Sequence, residues 1–172
     1  MKTLTVYSSL TGNTQKVAEA VHGIMPPGSQ LASVKDDPDP QGYDLVVVGF
    51  WVDKGQPDAA ALRFLNQLSR RRTAFFFTLG ACPESEHAQE AADETAKILE
   101  QGGNQVLGHF RCQGKVDPAL LEKMKKMLPP DNPHAQMTPE RQARLEEAAK
   151  HPNEADLEKA KIFAAEILQK AS

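Results

Sequence analysis

The sequence predicts an α/β protein, a three-layer sandwich built on a five-stranded parallel sheet of order 2-1-3-4-5. Three observations carry this. Strand-like runs alternate with helix-period segments five times along the chain. The run Leu45-Val46-Val47-Val48-Gly49-Phe50 is apolar throughout, as a parallel strand covered on both faces has to be. The turn between the first strand and the first helix is rich in hydroxyls and glycine.

The first strand, Thr3 to Tyr7, leads into Ser8, Ser9, Leu10, Thr11, Gly12, Asn13 and Thr14. A helix follows from about Asn13 to Ile24, with Val17, Ala20, Val21 and Ile24 on one face, and Pro26-Pro27-Gly28 stops it. Residues 30–34 form a short strand, and residues 36–42 a solvated turn region. After the central strand at 45–50 comes a loop over 51–57, and Asp58 caps a helix bearing Ala61, Leu62, Leu65 and Leu68. Arg70, Arg71 and Arg72 close that helix as a solvated end. Residues 74–79 form the fourth strand, and Ser85 caps a helix that carries Ala88, Ala91, Ala92, Thr95, Ile98 and Leu99 inward and ends at Gly102-Gly103. Residues 105–110 form the fifth strand, with residues 111–115 as its exit loop.

The last third changes character. Asp117-Pro118 starts a helix by cap-then-proline logic, with Leu120, Leu121, Met124, Met127 and Leu128 on its face. That methionine-containing face, with Met137, reads as packed core. Residues 129–152 read as a helical insertion containing a weak helix at 138–150. Asn153 and Asp156 spell a capping box for a closing helix that packs beside the first. The whole of 1–172 is expected to be one domain.

Composition narrows the function. The charged fraction is 25% and the formal net charge −3, which leaves no basic footprint for nucleic acid. No apolar run approaches the roughly 18 residues of a membrane span. The N-terminus does not read as a signal peptide, so a cytoplasmic location and no membrane partner are expected. Cys82 and Cys112 form neither a CxxC nor a metal-ligand spacing, and no metal site is expected.

In a parallel sheet of this kind ligands bind beyond the C-terminal strand ends, where three loops would meet: 8–14, 50–57 and 78–86. The first loop lies at a helix start, where free N–H groups and the helix dipole favour an anion and Gly12 clears its approach. By chemistry alone this loop serves equally as a phosphate cradle or as an ordinary β–α turn. Trp51 has polar neighbours in Asp53, Lys54, Gly55 and Gln56, which favours a ligand-facing indole over a core one.

The spelling Ser9-Leu10-Thr11-Gly12-Asn13-Thr14 resembles the phosphate loop of flavodoxins, Thr/Ser-x-Thr-Gly-x-Thr, in the position where that family has it. The run 49–55 is also similar to that of bacterial flavodoxin-family proteins encoded beside bilirubin reductase. The resemblance implies a flavodoxin-like fold and FMN as cofactor. It places the phosphate on residues 8–14 and the ring against Phe50, Trp51, Val52 and Asp53. Gly55 becomes the candidate for the glycine-containing turn that answers the flavin N5, and Thr78, Leu79, Gly80, Ala81 and Cys82 line the pyrimidine edge. The third loop lacks the tyrosine that flavodoxins often stack there.

The function so implied is that of an FMN protein shuttling electrons to a redox partner enzyme. A flavin-dependent reductase of a small substrate and a flavin-free interaction module are the alternatives. No acid–base constellation stands out, so a carrier is preferred to a stand-alone catalyst and no catalytic residue is assigned. Acids at 53, 58, 84, 86 and 90 lie where they would steer a basic partner. A receiver domain is excluded because the first strand ends in Tyr7-Ser8-Ser9, with no carboxylate pair for a metal. The oligomeric state is not encoded in any motif.

Overall fold

A computed structural model describes residues 1–172, apart from the side chain of His134. In chain order the elements are β1 (Thr3–Tyr7), α1 (Asn13–His22), β2 (Gln30–Ser33), β3 (Leu45–Asp53), β4 (Gln56–Pro57) and α2 (Ala59–Gln67). They continue with β5 (Arg72–Leu79), α3 (Glu86–Gln101), β6 (Gln105–Gln113), α4 (Pro118–Met127), α5 (Pro139–Ala148) and α6 (Glu154–Ala171).

Five strands pair in parallel in the order β2-β1-β3-β5-β6, and the two-residue β4 pairs antiparallel with β3 alone. Without that hairpin strand the order is the expected 2-1-3-4-5.

Side chains on a strand alternate between faces, so the apolar β3 feeds two cores. Val46, Val48 and Phe50 join Phe75 and Phe77 against α2 and α3, where Phe64, Leu65, Ala88, Ala91 and Leu99 complete one cluster. Leu45 and Val47 join Ala74 and Phe76 against α1 and α6, with Val17, Val21, Phe163 and Ile167. Gly49 is dictated by this second layer. A Cβ there would lie 2.2 Å from the Phe76 ring.

Several boundaries differ from the sequence reading. β3 runs to Asp53 because its last residues pair with β4 across a two-residue turn. Lys54 (φ 52°) and Gly55 (φ 81°) both take the left-handed conformation that tight hairpins demand. β6 likewise runs to Gln113, paired with Leu79. α1 stops at His22, leaving Ile24 38% exposed, and Met25 takes the buried place instead.

The triple arginine is not a solvated helix end. α2 ends at Gln67, Arg72 opens β5, and the guanidinium groups of Arg71 and Arg72 donate to the carbonyls of Pro40 (2.7 Å) and Ala171 (2.6 Å). The methionine face of α4 is not core either. No residue of α4 is buried, and Met127 is 72% exposed. Both sheet faces are already covered by α1 with α6 and by α2 with α3, so α4 is left over the C-terminal ends of the strands.

Candidate functional site

The site grows from the junction of β1 and α1. Gly12 sits at φ 98°, and a side chain placed there would meet no atom within 4 Å. The first hydrogen bond of the helix runs from Lys16 N–H to Gly12 C=O (3.1 Å). The N–H groups of residues 13–15 therefore have no intrahelical acceptor. No side chain caps this end. The other five α-helices are all capped, by Asp58, Ser85, Asp117, Thr138 and Asn153.

Two hydroxyls of the loop are consumed in building it. Ser8 Oγ donates to Asp58 Oδ1 at 2.7 Å, and Thr14 Oγ1 shares a buried hydrogen bond with Thr78 Oγ1 at 2.9 Å. Ser9 Oγ accepts the Gly12 N–H at 3.0 Å and holds the turn open. Ser9, Leu10, Thr11, Asn13 and Thr14 then face a cleft.

The second loop reaches this cleft through Trp51 and Val52, both half-buried. Trp51 is in register with Thr78 across β3 and β5, which brings the indole level with the third loop. Asp58 fixes its backbone. The carboxylate accepts from Trp51 N–H (3.4 Å) as well as from Ser8 and from Ala61 N–H (3.2 Å), and Asp58 N–H donates to Trp51 C=O (3.1 Å). Asp58 is 3% exposed, so it is not among the acids available to steer a partner.

Phe50 is displaced from the expected ring site. It is fully buried and stacks on Phe77 with ring centroids 5.3 Å apart, because strand alternation turns it into the core when Trp51 faces out. Asp53 and Gly55 lie in the hairpin and do not line the cleft. Gly55 lies instead beside His87, whose ring carbon would be 3.4 Å from a Cβ on that glycine.

From the third loop, Thr78, Leu79 and Gly80 line the cleft, whereas Ala81 packs against the α2–α3 core cluster. Cys82 is exposed and turned to Glu84, its thiol donating at 3.0 Å. That bond is the main cause holding the Glu84 carboxyl below its ordinary range. Cys112 is the opposite case: burial pushes its thiol up to about 12.

A fourth segment, 114–120, completes the cleft and was not assigned from sequence. Gly114, Lys115, Val116, Asp117 and Leu120 line it. Gly114 N–H donates to Leu79 C=O (2.9 Å), and Asn13 Nδ2 donates to Lys115 C=O (2.9 Å). Val116 lies so close over Gly80 that a Cβ there would stand 2.6 Å from Val116 Cγ2. The available signal was topological: this is the exit loop of the last strand, and every exit loop of a parallel sheet emerges on the same edge.

The four segments enclose about 470 Å³ open to solvent, with hydroxyls and free N–H groups at the α1 end and apolar walls from Trp51, Val52, Leu79, Val116 and Leu120. Among the described residues no cluster of three His, Cys, Asp or Glu side chains is placed to hold a metal ion. Among the same residues no helix is long and apolar enough to cross a membrane.

Comparison with known proteins gives a consistent picture. A family model described as a flavodoxin domain matches residues 4–165. The flavodoxin-like domain-containing protein BilS of Clostridioides difficile (strain CD3) is 34% identical over 178 residues, covering 100% of this chain and 99% of the relative. An uncharacterized protein of Methanocaldococcus jannaschii is 27% identical, covering 98% of this chain and 99% of its own. Among solved structures, oxidised Flavodoxin 1 from Bacillus cereus superposes with a TM-score of 0.64 at 17% identity, covering 100% of both chains. A flavoprotein in complex with FMN from Lactobacillus acidophilus NCFM gives 0.51 at 22% identity, over 71% of this chain and 97% of that one. At those identities the two structures speak to the fold.

Proposed function

This chain belongs to the flavodoxin family, and we propose that it binds FMN in the cleft over the strand ends and carries electrons to a protein partner. The observation that carries the reading is the uncapped start of α1, open to the same cleft as Trp51. Three N–H groups without intrahelical acceptors and the dipole of a ten-residue helix suit a phosphate. The hydroxyls of Ser9 and Thr11 and the amide of Asn13 add hydrogen-bonding groups around it. At the other end the indole of Trp51 offers a flat apolar wall to an aromatic ring, and Leu79 and Gly80 border the same part of the cleft.

The residues thus fit FMN in chemistry, with an anion site at one end and apolar walls at the other. When bound, the isoalloxazine supplies the redox chemistry. The protein contributes by orienting it, by excluding water from one face with Trp51, and by fixing hydrogen-bond donors at its edge. The relative named for its FMN complex shares this fold and supports the choice of cofactor. The cleft is open to solvent, which would leave part of a bound ring accessible to a partner, as a carrier requires. Exposed Glu84, Glu86 and Glu90 lie beside the third loop and favour a partner with a basic docking face.

The test is a visible absorption titration with FMN, read together with the emission of Trp51, the only tryptophan. Uptake with quenching of that emission is expected, followed by anaerobic reduction in two separate one-electron steps. Absence of uptake would overturn the reading and promote the flavin-free interaction module. Uptake followed by a single two-electron step would move the assignment to a reductase of a small substrate.

A further inference from the structure

The phosphate cradle at residues 9–14 contains hydroxyls, amides and backbone N–H groups but no cation. A phosphate monoester carries close to two negative charges at neutral pH, and a helix terminus offers about half of one positive charge. The N–H groups and hydroxyls supply hydrogen bonds, and a cation beside the cradle would add charge to them.

Of the described residues lining the cleft, Lys115 and Asp117 alone are charged. Asp117 is occupied as a helix cap, its Oδ1 accepting the Ala119 N–H at 3.0 Å. Lys115 is held differently. Its N–H donates to His151 C=O at 3.0 Å, and its own carbonyl accepts from Asn13 Nδ2 at 2.9 Å. Asn13 is the first residue of α1, so the Lys115 main chain is clamped against the uncapped helix start. Its side chain stays exposed, and none of the ion pairs among the described residues involves its ammonium. The clamp is supported from behind. His151 is bonded through its ring to Asp156 (2.6 Å) and Glu147 (3.1 Å), which ties the clamp to the start of α6 and the end of α5.

We infer that Lys115 is the cation of the phosphate site, a specificity-determining residue that makes the cleft favour phosphorylated flavin over the same ring and ribityl chain without phosphate. The inference rests on the FMN reading above. It assigns recognition of the phosphate to two parts of the chain a hundred residues apart: α1 supplies directional hydrogen bonds, and the segment after β6 supplies charge.

The experiment compares FMN and riboflavin affinity in the wild type, Lys115→Met and Lys115→Arg, at low and high ionic strength. Lys115→Met is expected to weaken FMN about tenfold and leave riboflavin unchanged, the size of one partly screened charge-assisted contact. The salt dependence of FMN binding should shrink in the same variant, and Lys115→Arg should restore both. Equal weakening of both flavins would overturn the inference, since Lys115 would then act through the shape of its segment. An FMN affinity and salt dependence unchanged in Lys115→Met would overturn it too, while leaving the cofactor reading standing. A wild type that takes up neither flavin would overturn both.

Discussion

Two walls of the same cleft are made in opposite ways. Residues 8–14 form a wall from consecutive chain: a strand end, a left-handed glycine and a helix start, each specified within a few positions. Residues 114–120 form the facing wall by distant contacts, to Leu79, Gly80, Asn13 and His151. The first wall belongs to the sheet and to α1. The second is the root of α4, a helix with no buried residue. Substitutions in the first wall should therefore act on the ligand almost as a switch. Those in the second should tune affinity and leave the fold alone.

The harshest way to break this contrast is Gly12→Asp. There is space for the side chain, but φ 98° costs a non-glycine residue about 1 kcal/mol, and the carboxylate would stand against the phosphate. FMN affinity should fall by more than about 100-fold, with a circular dichroism spectrum like that of wild type. If FMN still titrates normally, the first wall does not hold phosphate.

Asp58→Ala should come next, because it removes the cap of α2 and orphans the Ser8 hydroxyl. Together these cost about 2 kcal/mol, or roughly 5 °C in melting temperature, and FMN binding should weaken with them. Asp58→Asn, which keeps the acceptor, should lose less. Leu120→Ala probes the second wall: a half-buried side chain without core neighbours should change FMN affinity a fewfold and melting temperature hardly at all. A large loss of stability there would show that α4 is part of the core after all.

The smallest effect concerns pH. Asp156 is the main cause raising the His151 pKa, with Glu147 adding to it, and Lys150 is the nearby cation, itself bonded to Glu147. The folded state thus favours the protonated imidazole. Its contribution is complete below the ordinary histidine value of about 6.5 and is lost as pH rises through the raised folded value. Thermal stability should decline over that window, and His151→Gln should flatten the slope. An unaltered slope would place the titrating group elsewhere.

The contrast between the walls also explains what the sequence could tell. Strand order followed from alternation and from one apolar run, because burial on both faces leaves no polar position in the first six residues of β3. The turn at 8–14 was legible because its glycine, its hydroxyls and the helix start are consecutive, although the partners of Ser8 and Thr14, Asp58 and Thr78, are distant. Phe50 was misplaced by one residue of strand phase: β3 continues past it, with Phe50 opposite Phe77 and Trp51 opposite Thr78 on β5, so the two side chains point to opposite sides. Where the strand ends depends on a turn, here Lys54 and Gly55, that no periodicity announces. The methionines of α4 follow a helical spacing that looks the same whether the face is buried or free. Only the prior occupation of both sheet faces decides it. In the 114–120 wall only the Asp117-Pro118 helix start is spelled out, since its clamps are main-chain carbonyls at 79, 115 and 151.

The Asp58 carboxylate accepts from the base of the phosphate loop, from the main chain of Trp51 and from the first turn of α2. It therefore sets the gap between the two ends of the cleft as a fixed gauge, made when the chain folds. A redesigner wanting a longer or bulkier ligand gains nothing by editing this junction, because every change there moves both ends at once. Room has to come from the opposite bank, where shortening Val116 or Leu120 widens the channel and leaves the gauge alone. The protein thus separates a part that measures from a part that can be adjusted.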